Sequence, residues 1–470
     1  MPTLASVFNL AQLGMQANQA GVAVAGENIN GANTPGFSRR RAIIESSPVD
    51  AFVTGGVSVS GVARLFDTFA FRSLVREEAL YGAADARNNA LNRLEAAVAP
   101  TEGAGLDDRF SSFFASLDTL ALKADDPTAR LEVVRTGQEV ANTFNQIADS
   151  LSSARAELVA EAQGVGADID AKLATIAALN LKISQSSGIQ SSGRAELLDQ
   201  RDRLVRDVSE LIDVAVVARS DGSVTLLSSG TTLVEQGTAH TLKITPTGTN
   251  NDLKIELIRP GSNVLDITRN VNGGRLGGLR QARDTDIVAM QSELDELAYD
   301  FGTAVNTAHT AGLDLNGNPG TTFFIGAPGP LPPPPTPGAA TTIRVEPTIV
   351  ADPDLLAAAD ATSPPPGGNA VALAMSALQS TSIGVPPSGT PGERVADFAG
   401  KLGSRIAGSE SESVMRESTR AHAEELLEGA TGVSLDEEMV NLTKFQRAFE
   451  ASMRVLQIAD EMLTQIVERL

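Results

Sequence analysis

The C-terminal stretch from residue 435 constrains this chain more than any other feature. Leu435, Met439, Leu442, Gln446, Phe449, Met453, Leu456, Asp460, Leu463, Val467 and Leu470 alternate spacings of four and three without a break. That rhythm puts them on one side of an α-helix and leaves a coiled-coil-type seam. Phe445, Ser452, Ala459 and Ile466 widen the stripe. Ser434 and Glu437 have capping-box spacing, and Asp436, Glu437 and Glu438 fall in the first turn, where carboxylates complement the helix dipole. The stripe runs to the last residue given. The expectation is therefore a rod whose seam no later segment of its own chain completes.

The N-terminal stretch has the same character. Leu4, Ala11, Asn18 and Ala25 recur every seven residues, and Phe8, Met15, Val22 and Ile29 recur four positions on. They predict a helix over about 4–30 with an apolar stripe interrupted by Asn18. Gly14 and Gly21 sit at the seam, where small residues allow close helix approach. The stop signal is Thr34-Pro35-Gly36: proline pushes Thr34 out of the α region, and Pro35-Gly36 fits the centre of a type II turn. Gly31 or Asn33 is expected to take a left-handed cap.

Composition agrees with seams rather than one wide core. Hydrophobic residues make up 42% of 470, yet aromatics are only 4%, with sixteen Phe, two Tyr and no Trp. Zero Cys excludes disulfides, thiolate catalysis and Cys-bound zinc. His240, His309 and His422 lie far apart, so no metal site, catalytic base or cofactor is expected. A net charge of −21 argues against nucleic acid. No apolar run is long enough for membrane insertion, and the first twenty residues lack the pattern of an ordinary secretory signal.

Between the ends, the spacing predicts further helices. Leu80, Ala84, Arg87, Leu91 and Leu94 mark one. Asp126 caps another, with Pro127 at its first position and Val133, Val140, Phe144, Ile147, Leu151 and Leu158 along it. Ile169, Leu173, Ile176, Leu179 and Ile183 continue the pattern, and Leu197, Leu204, Val208 and Leu211 form a short helix. The period then switches to two, with a hairpin signal at Asp221-Gly222 and alternation at Leu253, Ile255 and Leu257. Helix returns from Ile287 to Val305. Pro332 to Pro335 is a stiff polyproline run.

The expected fold is mainly α with an inserted β-rich domain. Its long terminal helices pair as a coiled-coil-like domain, and the domain order is nested. The boundaries read as 1–40 plus 428–470 for a terminal helical assembly domain. Residues 41–212, 276–310 and 391–427 form a mostly helical second domain. A small outer β-rich domain occupies 213–275, and 311–390 is a Pro/Gly-rich variable connector.

Catalytic patterns do not emerge. No phosphate-binding loop is present. Asp314-Leu315-Asn316-Gly317 misplaces the glycine of a calcium loop and reads as a surface turn. Asp199 and Asp202, interleaved with Arg201 and Arg203, read as a solvated or salt-bridged face. Arg39 to Arg41 read as a structural cluster at a subunit contact.

The run Glu27-Asn28-Ile29-Asn30-Gly31-Ala32-Asn33-Thr34-Pro35-Gly36-Phe37-Ser38-Arg39 resembles the N-terminal signature of the bacterial flagellar axial proteins, which include rod, hook and hook-associated subunits. It departs from the family pattern at Glu27, Asn30, Gly31 and Phe37. Its turn residues Asn28, Asn33, Thr34, Pro35, Gly36 and Phe37 keep the order of that signature. Gly56 to Arg64, Asp126 to Arg130, Leu197 to Leu204, His309 to Gly317 and Gly432 to Glu438 are similar, in order, to motifs of its hook-associated members.

The resemblance implies a structural, non-enzymatic subunit that joins hook to filament. Its partners would be a homo-oligomeric ring, hook subunits, the next hook-associated protein on the filament side and an export chaperone at the C-terminal helix. It further implies an extracellular flagellar location, reached by type III export without a cleaved signal peptide. The expected assembly interface is Leu4, Phe8, Ala11, Met15, Val22 and Ile29 at one end. At the other it is Leu435, Met439, Leu442, Phe449, Met453, Leu456, Leu463, Val467 and Leu470, the alternative being an internal bundle core within one subunit. A hook or rod subunit is the runner-up. A surface adhesin or hydrolase on helical arms is the alternative from another class.

Overall fold

The computed structural model describes residues 4–46, 56–98, 105–186, 191–247, 252–259, 261, 263–326, 330–334 and 338–468. Leu470, Pro335 and the side chain of Val467, singled out above, lie outside the described residues. Helix α1 (Leu4–Gly31) leads into the antiparallel hairpin β1 (Arg40–Ser46) and β2 (Val57–Arg64). Helices α2 (Thr68–Val98), α3 (Leu106–Leu122), α4 (Pro127–Gln185) and α5 (Ser192–Leu211) follow.

The β-rich insertion comes next. Strands β3 (Ala215–Ala218), β4 (Val224–Ser228), β5 (Thr231–Glu235) and β6 (Thr238–Ala239) form one antiparallel sheet. Strands β7 (Thr241–Thr247), β8 (Asp252–Arg259) and β9 (Asn263–Asp266) form another. The chain returns through α6 (Gly274–Gln281) and α7 (Ile287–Thr310). Short elements follow: β10 (Phe324–Ile325), α8 (Ala339–Thr342), β11 (Arg344–Val345), α9 (Pro347–Ala351) and α10 (Ala370–Ala377). Two long helices, α11 (Pro391–Thr431) and α12 (Leu435–Glu468), complete the described chain.

The order is nested: α1 packs on α12, and α2 packs on α11. The fold is mainly α with an inserted β-rich region and paired terminal helices, as the periodicities predict. Asp126 caps α4 through its side chain, which accepts from the Thr128 N–H at 2.9 Å, with Pro127 at the first helical position. The helix starting at Asp126 and the pattern at Ile169–Ile183 are a single helix. Ser152, Ser153 and Gly164 weaken its middle, but buried Leu151, Leu158, Ala162 and Val165 keep the seam continuous, so packing overrides propensity.

Phenylalanine is scarce but concentrated. Phe110, Phe113, Phe114, Phe144, Phe301, Phe323 and Phe324 form one connected group, with the Phe110 and Phe301 rings stacked at 4.4 Å. The Pro/Gly-rich stretch takes part in this core: Phe323, Phe324, Ile343 and Ile349 are fully buried. The helical body thus has a wide aromatic centre as well as narrow seams.

His309 is fixed inside this centre. Its Nε2 accepts from the Ala357 N–H at 2.9 Å and its Nδ1 faces the Thr321 carbonyl at 2.5 Å. Burial pushes its pKa down to about 4, only partly opposed by the Thr321 carbonyl. The folded state therefore binds fewer protons than the unfolded chain between about pH 4 and the ordinary value near 6.5. Stability from neutral His309 is fully present above that window and is lost as pH falls through it, by about 3 kcal/mol. The denaturation midpoint of the wild type should fall more steeply between pH 7 and pH 4.5 than that of His309→Gln. Parallel pH profiles would refute this.

The Asp314 turn also differs from the surface turn expected. Its tip is exposed, but Asp314 is buried and accepts from the Asn318 backbone N–H at 2.8 Å and side-chain amide at 3.0 Å. Its carboxylate is used to close the turn.

Candidate assembly interface

The two terminal helices run antiparallel in a register that contacts set directly. Asn28 meets Glu438, a Cβ on Gly21 would lie 2.6 Å from the Phe445 ring, and one on Gly14 would lie 3.3 Å from Ser452 Oγ. Each step of seven back along α1 is answered by seven forward along α12, the repeat of a two-helix seam. Only glycine fits opposite Phe445, because any side chain at position 21 would occupy the ring's space. Buried Ala17, Val24 and Ala25 fill the positions between on α1, and Ala459 continues the line on α12.

This intrachain seam is offset from the stripe read in the sequence. On α12 it uses Glu438, Phe445, Ser452 and Ala459, the line that widens the main stripe. Leu435, Met439, Met453 and Leu463 are exposed, Met439 by 61%, while Leu442, Phe449 and Leu456 are half-buried. On α1, Ala11 is buried, and Leu4, Phe8, Met15, Val22 and Ile29 are half-buried beside the seam. Helix α1 therefore covers one side of α12. Large apolar side chains on its flanks face outward, including Val440, Ile458, Met462 and Ile466.

The signature turn ends α1 and anchors α12. Thr34 O accepts from the Phe37 N–H at 3.1 Å, and Gly36 has φ +74, the left-handed third position of a type II turn. The left-handed residue is thus Gly36, not Gly31 or Asn33. Consecutive tight turns (Ala32 N–H to Ile29 O, Thr34 N–H to Gly31 O) unwind the helix without a left-handed cap. Gly31 is instead a steric requirement, since a Cβ there would lie 2.6 Å from the Phe37 ring. Asn33, Thr34, Pro35 and Gly36 are exposed, and Phe37 is half-buried.

Asn28 is buried and fully engaged. Its amide donates to Glu438 Oε2 at 3.0 Å and Arg40 O at 2.9 Å, and its Oδ1 accepts from the Arg40 N–H at 2.8 Å. Arg39 reaches Glu437 at 2.7 Å and Glu438 at 2.6 Å. Burial disfavours the Arg39 charge, but hydrogen bonds to Glu437 and Glu438 more than restore it, and its pKa is raised. Glu437 is thereby drawn away from a reciprocal capping box. The Ser434 Oγ contact to its N–H is long, at 3.5 Å. Arg39 and Arg40 are thus both engaged in ion pairs within the chain.

A second knot joins the hairpin to α5. Arg40 contacts Glu27 and Glu196, each at 3.1 Å, and lies 3.7 Å from Asp199. Arg64 contacts Asp202, which also binds Arg201 at 2.6 Å. Arg64 Nε stands 3.2 Å from Asp199 Oδ1, close enough for attraction but not aligned as a hydrogen bond. Burial raises the Asp199 pKa, with Arg64, Ser38 and Arg40 pulling it back. The Asp199/Asp202 face is salt-bridged and buried, so these carboxylates hold the terminal helix pair to the helical body.

A groove of about 640 Å³ opens between the turn and the α11–α12 link, lined in part by Phe37, Phe66, Arg203, Arg206 and Glu424. Two of its acids are neutralised: Glu424 binds Arg206 at 2.6 Å and Asp202 binds Arg201 and Arg64. Among the described residues no cluster of His, Asp or Glu could hold a metal ion, and no helix is long and apolar enough to cross a membrane. Glu438 and the Arg64 partnership were missed in the sequence because their partners lie hundreds of residues apart or on another element. The one available signal was an acid inside the first turn of an otherwise apolar seam.

Comparison with known proteins places this geometry. The model of the flagellar hook-associated protein FlgK helical domain matches residues 91–324, and that of the flagellar basal body rod FlgEFG protein C-terminal matches residues 428–469. Flagellar hook-associated protein 1 of Escherichia coli (strain K12) is 30% identical over 338 residues, 70% of this chain and 61% of that protein. The Salmonella typhimurium protein of the same name is 29% identical, and the match spans 60% of its length. The Bacillus subtilis (strain 168) counterpart is 27% identical across 97% of this chain and 96% of its own. The structure of the flagellar hook junction protein FlgK from Burkholderia pseudomallei superposes with a TM-score of 0.66 at 16% identity, covering 76% of this chain and 99% of that one, a likeness of fold. With sequence matches, helical-domain model and fold in agreement, the chain belongs to the flagellar hook-associated protein 1 family.

Proposed function

We propose that this chain is a structural subunit of the bacterial flagellum that joins hook to filament and assembles through its terminal helices. The observation that carries the proposal is the half-covered state of α12. Helix α1 occupies one side, and Leu435, Met439, Met453 and Leu463 stay exposed beside it. Contiguous outward apolar surface of this kind marks an association site. The assembly residues are Leu4, Phe8, Ala11, Met15, Val22 and Ile29 with Leu435, Met439, Leu442, Phe449, Met453, Leu456 and Leu463. The fourfold division into terminal, helical, outer β-rich and connector regions belongs to the same reading.

The partners in this proposal are further copies in a ring, hook subunits on one side and the next hook-associated protein on the other. An export chaperone would hold α12 beforehand, and the assembled protein would lie outside the cell on the flagellum. No catalytic step is assigned. A rod or hook subunit shares the C-terminal element matched over 428–469, whereas the match over 91–324 favours a hook-associated role. A strain deleted for the chain should keep its hooks, lack filaments and release filament subunits into the medium. Normal filaments in that strain would overturn the proposal.

A further inference from the structure

Helix α12 carries another exposed stripe, on the side opposite Leu435 and Met439. Val440, Lys444, Arg447, Val455, Ile458 and Met462 share one side of the helix, with Ala451 at the centre, and all are exposed. This line lies about a third of a turn or more from the Phe445 face that meets α1. Its centre is positive, with Lys444 and Arg447, and Arg454 lies at its edge between the outlying acids Asp436 and Glu461. Lys444, Arg447 and Arg454 find no acid among the described residues.

Helix α11 presents the complement. It packs on α2 through a face that includes buried Ile406, Ser409, Ser413 and Ala423. On its outer side Glu410, Val414, Glu417, Ala421 and Glu428 follow at steps of four, three, four and seven, and all are exposed. Glu410, Glu417 and Glu428 have no cationic partner among the described residues. Arg447 and Arg454 are seven apart, as are Glu410 and Glu417. Two helices laid side by side therefore bring both charge pairs into register about 10 Å apart along the axis. Ala451 lies between Arg447 and Arg454, and its small side chain leaves room for Val414, which lies between Glu410 and Glu417. Within one chain α11 and α12 follow each other without packing side by side, so neither stripe covers the other.

We infer that the basic–apolar stripe of α12 in one copy docks against the acidic outer face of α11 in a second copy. The inference rests on the assembly reading above and names the two surfaces that meet. Because different patches are joined, the contact is heterologous, and its repetition builds a ring or tube rather than a closed pair.

The test is charge reversal on the full chain, read by sedimentation velocity at high protein concentration in low and high salt. Wild type should self-associate, and salt should weaken it. Arg447→Glu/Arg454→Glu and Glu410→Arg/Glu417→Arg should each weaken association about tenfold or more. The chain carrying all four substitutions should recover it, and recovery excludes simple unfolding. A monomeric wild type, normal association of either double variant, or no recovery in the quadruple variant would overturn the inference. Filament loss in the deletion strain tests the functional reading separately, so either can fail alone.

Discussion

Phe449→Asp is expected to abolish incorporation into the flagellum while leaving the helical body folded. Phe449 lies one turn beyond Phe445, half-buried between the α1 seam and the exposed Leu435–Met453 line. A carboxylate there is tolerable in an isolated molecule, where water reaches it. Once a neighbour closes over the stripe, the charge loses water without gaining a cation, at a cost of several kcal/mol. Assembly through this stripe would repeat the contact in every subunit, so the penalty would multiply with each copy added. The body depends on other residues, chiefly the Phe113 and Phe301 cluster, and should keep its helical circular dichroism and its thermal transition. Flagella containing normal amounts of the variant would remove this stripe from the interface.

The second large effect concerns the knot under the hairpin. Asp202→Ala strips one acid from Arg64 and Arg201, whose side chains are each only 7% exposed, and leaves Arg64 with Asp199 as its nearby carboxylate. Breaking a buried ion pair by removing one partner typically costs about 3–5 kcal/mol, because the survivor stays desolvated. The loss should appear locally. Amides of the Arg40–Arg64 ladder, where Arg40 pairs with Arg64 and Arg41 with Ala63, should exchange far faster. Those of α4 should hold their protection. Unchanged protection of the hairpin would mean that the knot contributes little.

The sequence made the periodic parts of this molecule legible and left its joints dark. The spacings of Leu435 to Leu463 and of Leu4 to Ile29 specify long helices whatever their surroundings, because helix period is a local property. The Thr34-Pro35-Gly36 turn is equally local, and its closing bond lies where proline and glycine put it. What spacing does not reveal is which of two adjacent stripes meets the partner helix. Choosing between the Leu442 line and the Phe445 line takes the knowledge that Gly21 sits opposite, a long-range fact.

The same holds for charges. Asp199 and Asp202 read as a solvated or salt-bridged face beside Arg201 and Arg203, and the choice is made only when the hairpin brings Arg40 and Arg64 onto them. The long α4 keeps one seam through Ser152, Ser153 and Gly164, which weaken its local signal, because buried Leu151, Leu158, Ala162 and Val165 hold it to the body.

One feature of the fold bears on how this protein changes over generations. The chain leaves the helical body at Ile212 and re-enters at Gly274, and a Cβ on Gly274 would lie 2.3 Å from the Ile212 backbone nitrogen. Departure and return points touch, so the β-rich lobe between them hangs from a single socket. Lobes of other sizes can be exchanged there without stretching the body, provided their underside covers the α4 face near Gly166 and Asp170 on which β7 packs. A lineage can thus exchange the β-rich lobe while the helices beneath it stay unaltered.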